Sequence, residues 1–258
     1  MLKEIILSIK AFFNATHLLT AKKQYKWFLV TGILYASLFG LGLYFYFATA
    51  NTITHTILTK TYLKTWLQSN GTVVSFYFII TLIMLQLVLV IYYFSVLKYA
   101  IFIIASPLFA YTSSKTYAFL TKEMEHKSTI KMLPFCKYII SIALQNMVWQ
   151  TLHFLLYIIL CFVPIFGCIV PLVAIITECY YYGYGTTSMA FYVHKKNTVP
   201  LLTFIQKHKG LAIGNGLGFY SLHIVPLIGW VVAPVYTLVA AHTMLHQIDI
   251  ENNTTHDK

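Results

Sequence analysis

The chain has 258 residues, of which 59% are hydrophobic and only 10% charged, and its net charge is +11. Soluble domains carry about 25% charged residues, so this composition excludes a soluble globular class and describes a polytopic membrane protein. All 18 basic residues are lysine; no base-stacking platform or binding motif accompanies them, so the charge points to lysine-rich cytoplasmic loops rather than to nucleic acid.

Residues 1–26 carry five lysines and Glu4 between the apolar Ile5, Ile6, Ile9, Phe12, Phe13 and Leu19. That spacing predicts an amphipathic lead-in helix lying in the headgroup plane, the alternative being a soluble lead-in. No small-residue cleavage site follows a short apolar region, so no cleaved leader is expected here. Residues 27–50 hold no charge and are long enough to cross a ~30 Å hydrocarbon core. Gly32, Ser37, Gly40 and Gly42 give this span small faces for close helix packing. Residues 51–71 are polar and end in Asn70-Gly71, a turn signal. The apolar pattern of 72–104 continues past Lys98 and predicts a helix about 50 Å long at 1.5 Å per residue, stopped at Ser106-Pro107. Residues 108–137 are lysine- and glutamate-bearing, with a helix expected over about 109–126.

Two long apolar runs follow, 138–177 and 211–245. Each contains the pattern V-P-x-x-G: Val163-Pro164-Ile165-Phe166-Gly167, then Val225-Pro226-Leu227-Ile228-Gly229. A second proline, Pro171 or Pro234, stands a few residues beyond. Proline ends a helix and glycine permits a tight turn, so Pro164, Gly167, Pro226 and Gly229 mark hairpin turns between two short apolar helices in each run. Split at Pro164, the second arm reaches only about 13 residues before Glu178, short of the ~20 needed to cross. Glu178 itself is expected at the interface. The tail 246–258 is polar.

Loop charge orients these elements. Lysines dominate residues 1–26, 98–137 and 178–210. All three lie on the cytoplasmic side together only if each late run enters the membrane and returns. The expected architecture is therefore one all-α membrane domain over 1–258. It has two long transmembrane helices and two Pro/Gly-broken helical hairpins that insert partially, with both termini cytoplasmic.

Few residues carry chemistry. Lys22, Lys23 and Lys26 sit before the first long helix and are candidates for an anion site at its N-terminus; an ordinary positive-inside anchor is the alternative. Gln145, Asn146, Gln150 and His153 fall near one face of the first hairpin, and Asn215 lies in the second. Polar groups in a membrane mark a solute pathway or hydrogen bonds between helices. Gly210, Gly214, Gly216 and Gly218 are not followed by a G-K-[ST] ending, so packing is their expected role. Cys136, Cys161, Cys168 and Cys179 form no C-x-x-C pair, the ten histidines have no ligand spacing, and no nucleophile–base pair emerges. No metal, no cofactor and no enzymatic activity are expected.

Several segments resemble the CysZ / etoposide-induced-protein family. They are Phe162-Val163-Pro164-x-x-Gly167-x-x-x-Pro171, Tyr192 before Val199-Pro200, His208-Lys209-Gly210-x-x-x-Gly214-x-Gly216, and Ile224-Val225-Pro226 with Pro234 behind it. Ala105-Ser106-Pro107 is similar to the step after that family's second long helix. The resemblance covers roughly residues 10–245. It implies two long transmembrane helices, two partially inserted hairpins and a homo-oligomer. It also implies sulfate uptake at the bacterial inner membrane, with the lipid bilayer and sulfate or sulfite as partners. Two departures are present. Ala21-Lys22-Lys23-Gln24-Tyr25-Lys26-Trp27 stands where the sulfate permeases carry proline-glycine and arginines, and lysine lacks the bidentate fork that suits an oxyanion. Phe191-Tyr192-Val193 replaces an Asp-Tyr-Pro step. The expected function is a small-anion permease, most simply for sulfate, with a non-transporting membrane-organising protein as the alternative.

Overall fold

The computed structural model describes residues 1–20, 25–60, 72–121, 131–194 and 201–256. Among them every regular element is a helix: α1 (Leu2–Thr20), α2 (Tyr25–Lys60), α3 (Thr72–Ile104), α4 (Ser106–Thr121), α5 (Met132–Cys161), α6 (Pro164–Val193), α7 (Leu201–Lys207), α8 (Lys209–His223) and α9 (Ile228–His256). Five described helices are long and apolar enough to cross a membrane, over 29–48, 86–104, 132–161, 166–193 and 228–248. They belong to α2, α3, α5, α6 and α9.

α6 is the hub. It packs on α3, α5, α8 and α9, while α9 also carries α2 and α1. At the centre Tyr182 of α6 stacks on Phe219 of α8 with ring centroids 3.6 Å apart. Phe102 of α3 and Phe109 of α4 close the same cluster.

Both V-P-x-x-G stretches turn the chain back, and they share one device. The Gly167 N–H donates to Val163 O at 2.7 Å and the Gly229 N–H to Val225 O at 2.9 Å. A Cβ on Gly167 would stand 2.7 Å from Cys161 O, and one on Gly229 would stand 2.0 Å from Leu222 O. Glycine is needed in each because a carbonyl at the end of the incoming helix presses on it. The turns differ otherwise: Pro164 opens α6, whereas Pro226 precedes α9 and Leu227 takes the strained φ of 62°.

The arms of the first hairpin are longer than the apolar runs predict. α5 and α6 have 30 residues each, about 45 Å at 1.5 Å per residue. Glu178 does not end the second arm. It lies buried in the middle of α6 beside Lys98, and the helix continues past it to Val193. α8 is short at 15 residues, about 22 Å.

α1 does not stand apart from the bundle. Ser8, Ala11 and Ala15 are buried against α8 and α9, while Leu2, Ile6, Ile9 and Phe13 on the opposite face are exposed. The apolar pattern therefore served two faces, one for protein and one turned outward. Gly210, Gly214 and Gly218 of α8 line up beneath Glu4, Ser8 and Phe12, each leaving no room for a Cβ. Glu4 fixes the register: its carboxylate accepts a hydrogen bond from the Gly210 N–H at 3.1 Å and pairs with His208 Nδ1 at 2.8 Å. The pairing sits on the first turn of α8, where a negative charge is favoured. A Glu4→Ala variant is expected to lose roughly 1 kcal/mol. Protease cleavage near residue 20 should then speed up while the rest of the chain stays protected.

Candidate polar site between the membrane spans

An ion pair stands among apolar helices. Lys98 Nζ of α3 donates to Glu178 Oε1 of α6 at 2.8 Å, and both side chains are buried. Three more groups complete the arrangement. The Tyr220 hydroxyl of α8 donates to Glu178 Oε1 at 2.6 Å. The Gln150 amide of α5 donates to Glu178 Oε2. The Tyr99 hydroxyl of α3 donates to Gln150 Oε1 at 2.5 Å. Lys98 Nζ also lies 4.9 Å from the centre of the Tyr99 ring, on which a cation is attracted to the π face. One carboxylate thus ties four helices together, and its charge is met by a cation and two neutral donors.

The cluster belongs to a longer polar seam. Along α5, Asn146 and Gln150 are buried. Thr151 contacts the Tyr92 hydroxyl of α3 at 3.3 Å, and Tyr157 contacts Thr177 of α6 at 2.7 Å. His153 Nδ1 lies 3.4 Å from the Tyr181 hydroxyl. From 146 to 157 this runs about 16 Å along the helix axis. Asn146 Nδ2 is buried with no hydrogen-bond partner. On α8, Asn215 donates to Thr186 Oγ1 at 3.0 Å.

Of the residues singled out from the sequence, Asn146, Gln150 and His153 lie along this seam, and Asn215 lies in the neighbouring α6–α8 contact. Gln145 does not; it is exposed on the outer side of α5 beside Leu144, Val148 and Trp149. Lys22 and Lys23 fall outside the described residues, and Lys26 is described only as a backbone position in the first turn of α2. The sequence pattern missed Lys98 and Glu178 as partners. The available signal was one lysine and one glutamate, each inside a separate apolar run, with opposite sign. Buried ions in a membrane protein pair with each other.

A second buried polar group lies elsewhere. Ser113 Oγ of α4 is 2.5 Å from His242 Nε2 of α9, and His242 Nδ1 is 3.2 Å from His194 Nε2 at the end of α6. The order is that of a nucleophile and a base, but Ser113 and His242 are fully buried, so no substrate carbonyl reaches the hydroxyl. Their evident work is to join three helices. Among the described residues no group of three or more His, Cys, Asp and Glu side chains is placed to hold a metal ion.

A family model described as Sulfate transporter CysZ/Etoposide-induced protein 2.4 matches residues 11–234. No curated protein matches the chain.

Proposed function

The chain belongs to the Sulfate transporter CysZ/Etoposide-induced protein 2.4 family, and from that premise we propose that it is a membrane permease for a small inorganic anion, sulfate before others. In this reading it works in a bacterial inner membrane with both termini in the cytoplasm. The observation that carries the reading is the seam around Lys98, Glu178 and Gln150. Bringing two ions into a low-dielectric interior costs several kcal/mol per ion, and apolar residues in their place are often neutral or stabilising. A bundle built only to be stable has no use for such a pair. A path for a solute does, because the solute needs donors at intervals across the apolar region.

Lys98 is the cation an oxyanion would meet, with the second N–H of the Gln150 amide as a neutral donor beside it. Lys22, Lys23 and Lys26 would gather anions at the cytoplasmic mouth. α5, α6 and α9 are long enough to cross, whereas α8, at about 22 Å, reaches only part way through a ~30 Å core. Exposed Gln145 among apolar neighbours supports a contact between copies of the chain in a homo-oligomer, since a lipid-facing amide is unfavourable.

Uptake of radiolabelled sulfate into liposomes holding the purified protein tests this. Saturable uptake above empty liposomes, reduced by sulfite, is expected. Gln150→Leu should lower the initial rate about tenfold, the equivalent of ~1.4 kcal/mol in the barrier, and Lys23→Ala with Lys26→Ala should lower it without reducing membrane insertion. One observation favours the second reading, a membrane-organising protein: both Glu178 oxygens are already satisfied by donors on three helices. Folded protein with no uptake would give the seam to that role.

A further inference from the structure

A cavity of about 240 Å³ lies between α2, α3, α6 and α8. Its walls are hydrocarbon and aromatic, with Phe39, Val90 and Phe94 among them; the Lys98–Glu178 pair makes its polar end, and His223 lines it beside Phe39. Phe39 lies within the 29–48 span, Val90 and Phe94 within 86–104, and Ile175 within 166–193. Ile175 is 46% exposed, so one wall of the cavity reaches the outer surface of a candidate span.

The polar end selects the head of an occupant. Glu178 already accepts from Lys98, Tyr220 and Gln150. Lys98 has three N–H groups and gives one to Glu178. His223 Nδ1 is buried with no hydrogen-bond partner. What remains unused at the ion pair is therefore the donor capacity of Lys98. A neutral oxygen acceptor takes a remaining Lys98 N–H without adding charge to the cavity. The apolar walls suit a hydrocarbon chain rather than a hydrated ion.

We propose that this cavity is a lipid site: it takes one acyl chain of a bilayer lipid, whose ester carbonyl accepts a hydrogen bond from Lys98. A protonated fatty acid shares this chemistry, and the test separates the two sources. The site goes beyond sulfate permeation and does not depend on it.

Trp230 reports on the cavity, because its ring packs edge-on to Phe39 with centroids 5.0 Å apart. The full-length chain with Trp27→Phe, Trp66→Phe and Trp149→Phe keeps Trp230 as its only tryptophan. In detergent micelles it is titrated with a phosphatidylcholine bearing a 9,10-dibromostearoyl chain, and separately with 9,10-dibromostearic acid. Saturable quenching by the phosphatidylcholine is expected. Half-saturation should shift at least tenfold upward in Val90→Phe, which fills the cavity, and in Ile175→Phe, which narrows the exposed mouth without loading the core. An ether-linked analogue lacking the carbonyl should bind several-fold more weakly. Quenching that rises without saturation, or that is equal in the parent and both filled variants, overturns the proposal. Quenching by the free acid alone overturns the assignment to a bilayer lipid. Sulfate uptake measured on the same variants keeps the two readings apart, since a protein with no uptake still gives a quenching curve.

Discussion

A Lys98→Met variant is expected to lose about 3–5 kcal/mol of stability, and adding Glu178→Gln to it should restore most of that loss. The single change leaves Glu178 as an unpaired anion buried among α3, α5, α6 and α8. The hydroxyl of Tyr220 and the amide of Gln150 remain, but neutral donors do not replace a cation at 2.8 Å. Glutamine at 178 removes the charge and keeps one carbonyl acceptor in place of the two carboxylate oxygens. Thermal unfolding in detergent, followed by loss of the monodisperse species, reads the difference directly. Equal destabilisation in the single and double variants would assign the loss to packing of the lysine stem instead. Under the permease reading both variants lose sulfate uptake, because the recovered fold still lacks its cation.

The second large effect is expected at the crossing of α6 and α8. Gly183 and Gly216 allow the two backbones to touch. A Cβ on Gly183 would stand 1.8 Å from Ala212 O, and one on Gly216 would stand 1.9 Å from Cys179 O, against the 3.0 Å below which real contacts essentially do not occur. The obstacle in each case is backbone, which no rotamer change relieves. Gly183→Ala and Gly216→Ala should each cost about 2–3 kcal/mol or more. The pair is expected to be less than additive, because one splaying of the helices accommodates both methyls. Gly40→Ala is the control: nothing lies within 4 Å of its Cβ, and removing a helical glycine there should gain up to ~1 kcal/mol. If all three variants melt together, the close crossing is wrong.

Much of this architecture could be read from residue order. α3 runs over Thr72–Ile104 as the apolar pattern continuing past Lys98 and the Ser106-Pro107 stop predict. The two turns fall at V-P-x-x-G because proline and glycine act locally, without regard to partners. What sequence did not reveal were the faces. In a lipid-exposed helix the side toward protein and the side toward lipid are both apolar, so periodicity does not distinguish them. Gln145 and Asn146 are adjacent in sequence and yet one is exposed and the other buried. Glu178 looked like a helix boundary because charge normally marks one, and only Lys98, 80 residues away, cancels that signal. α1 is a related case, since its apolar positions serve two faces rather than one.

That separation has a consequence for how the protein is made. A ribosome adds about 5–20 residues per second, so Lys98 leaves it roughly 4–16 seconds before Glu178 does. During that interval the lysine has no counter-charge in the nascent chain at membrane depth, and the N-terminal helix waits still longer for α8, against which its buried face will rest. The final depth of the second long helix is therefore set late, when the glutamate arrives, and the earliest segment synthesised is among the last to be locked. The pair is completed only once the second half of the chain has been made.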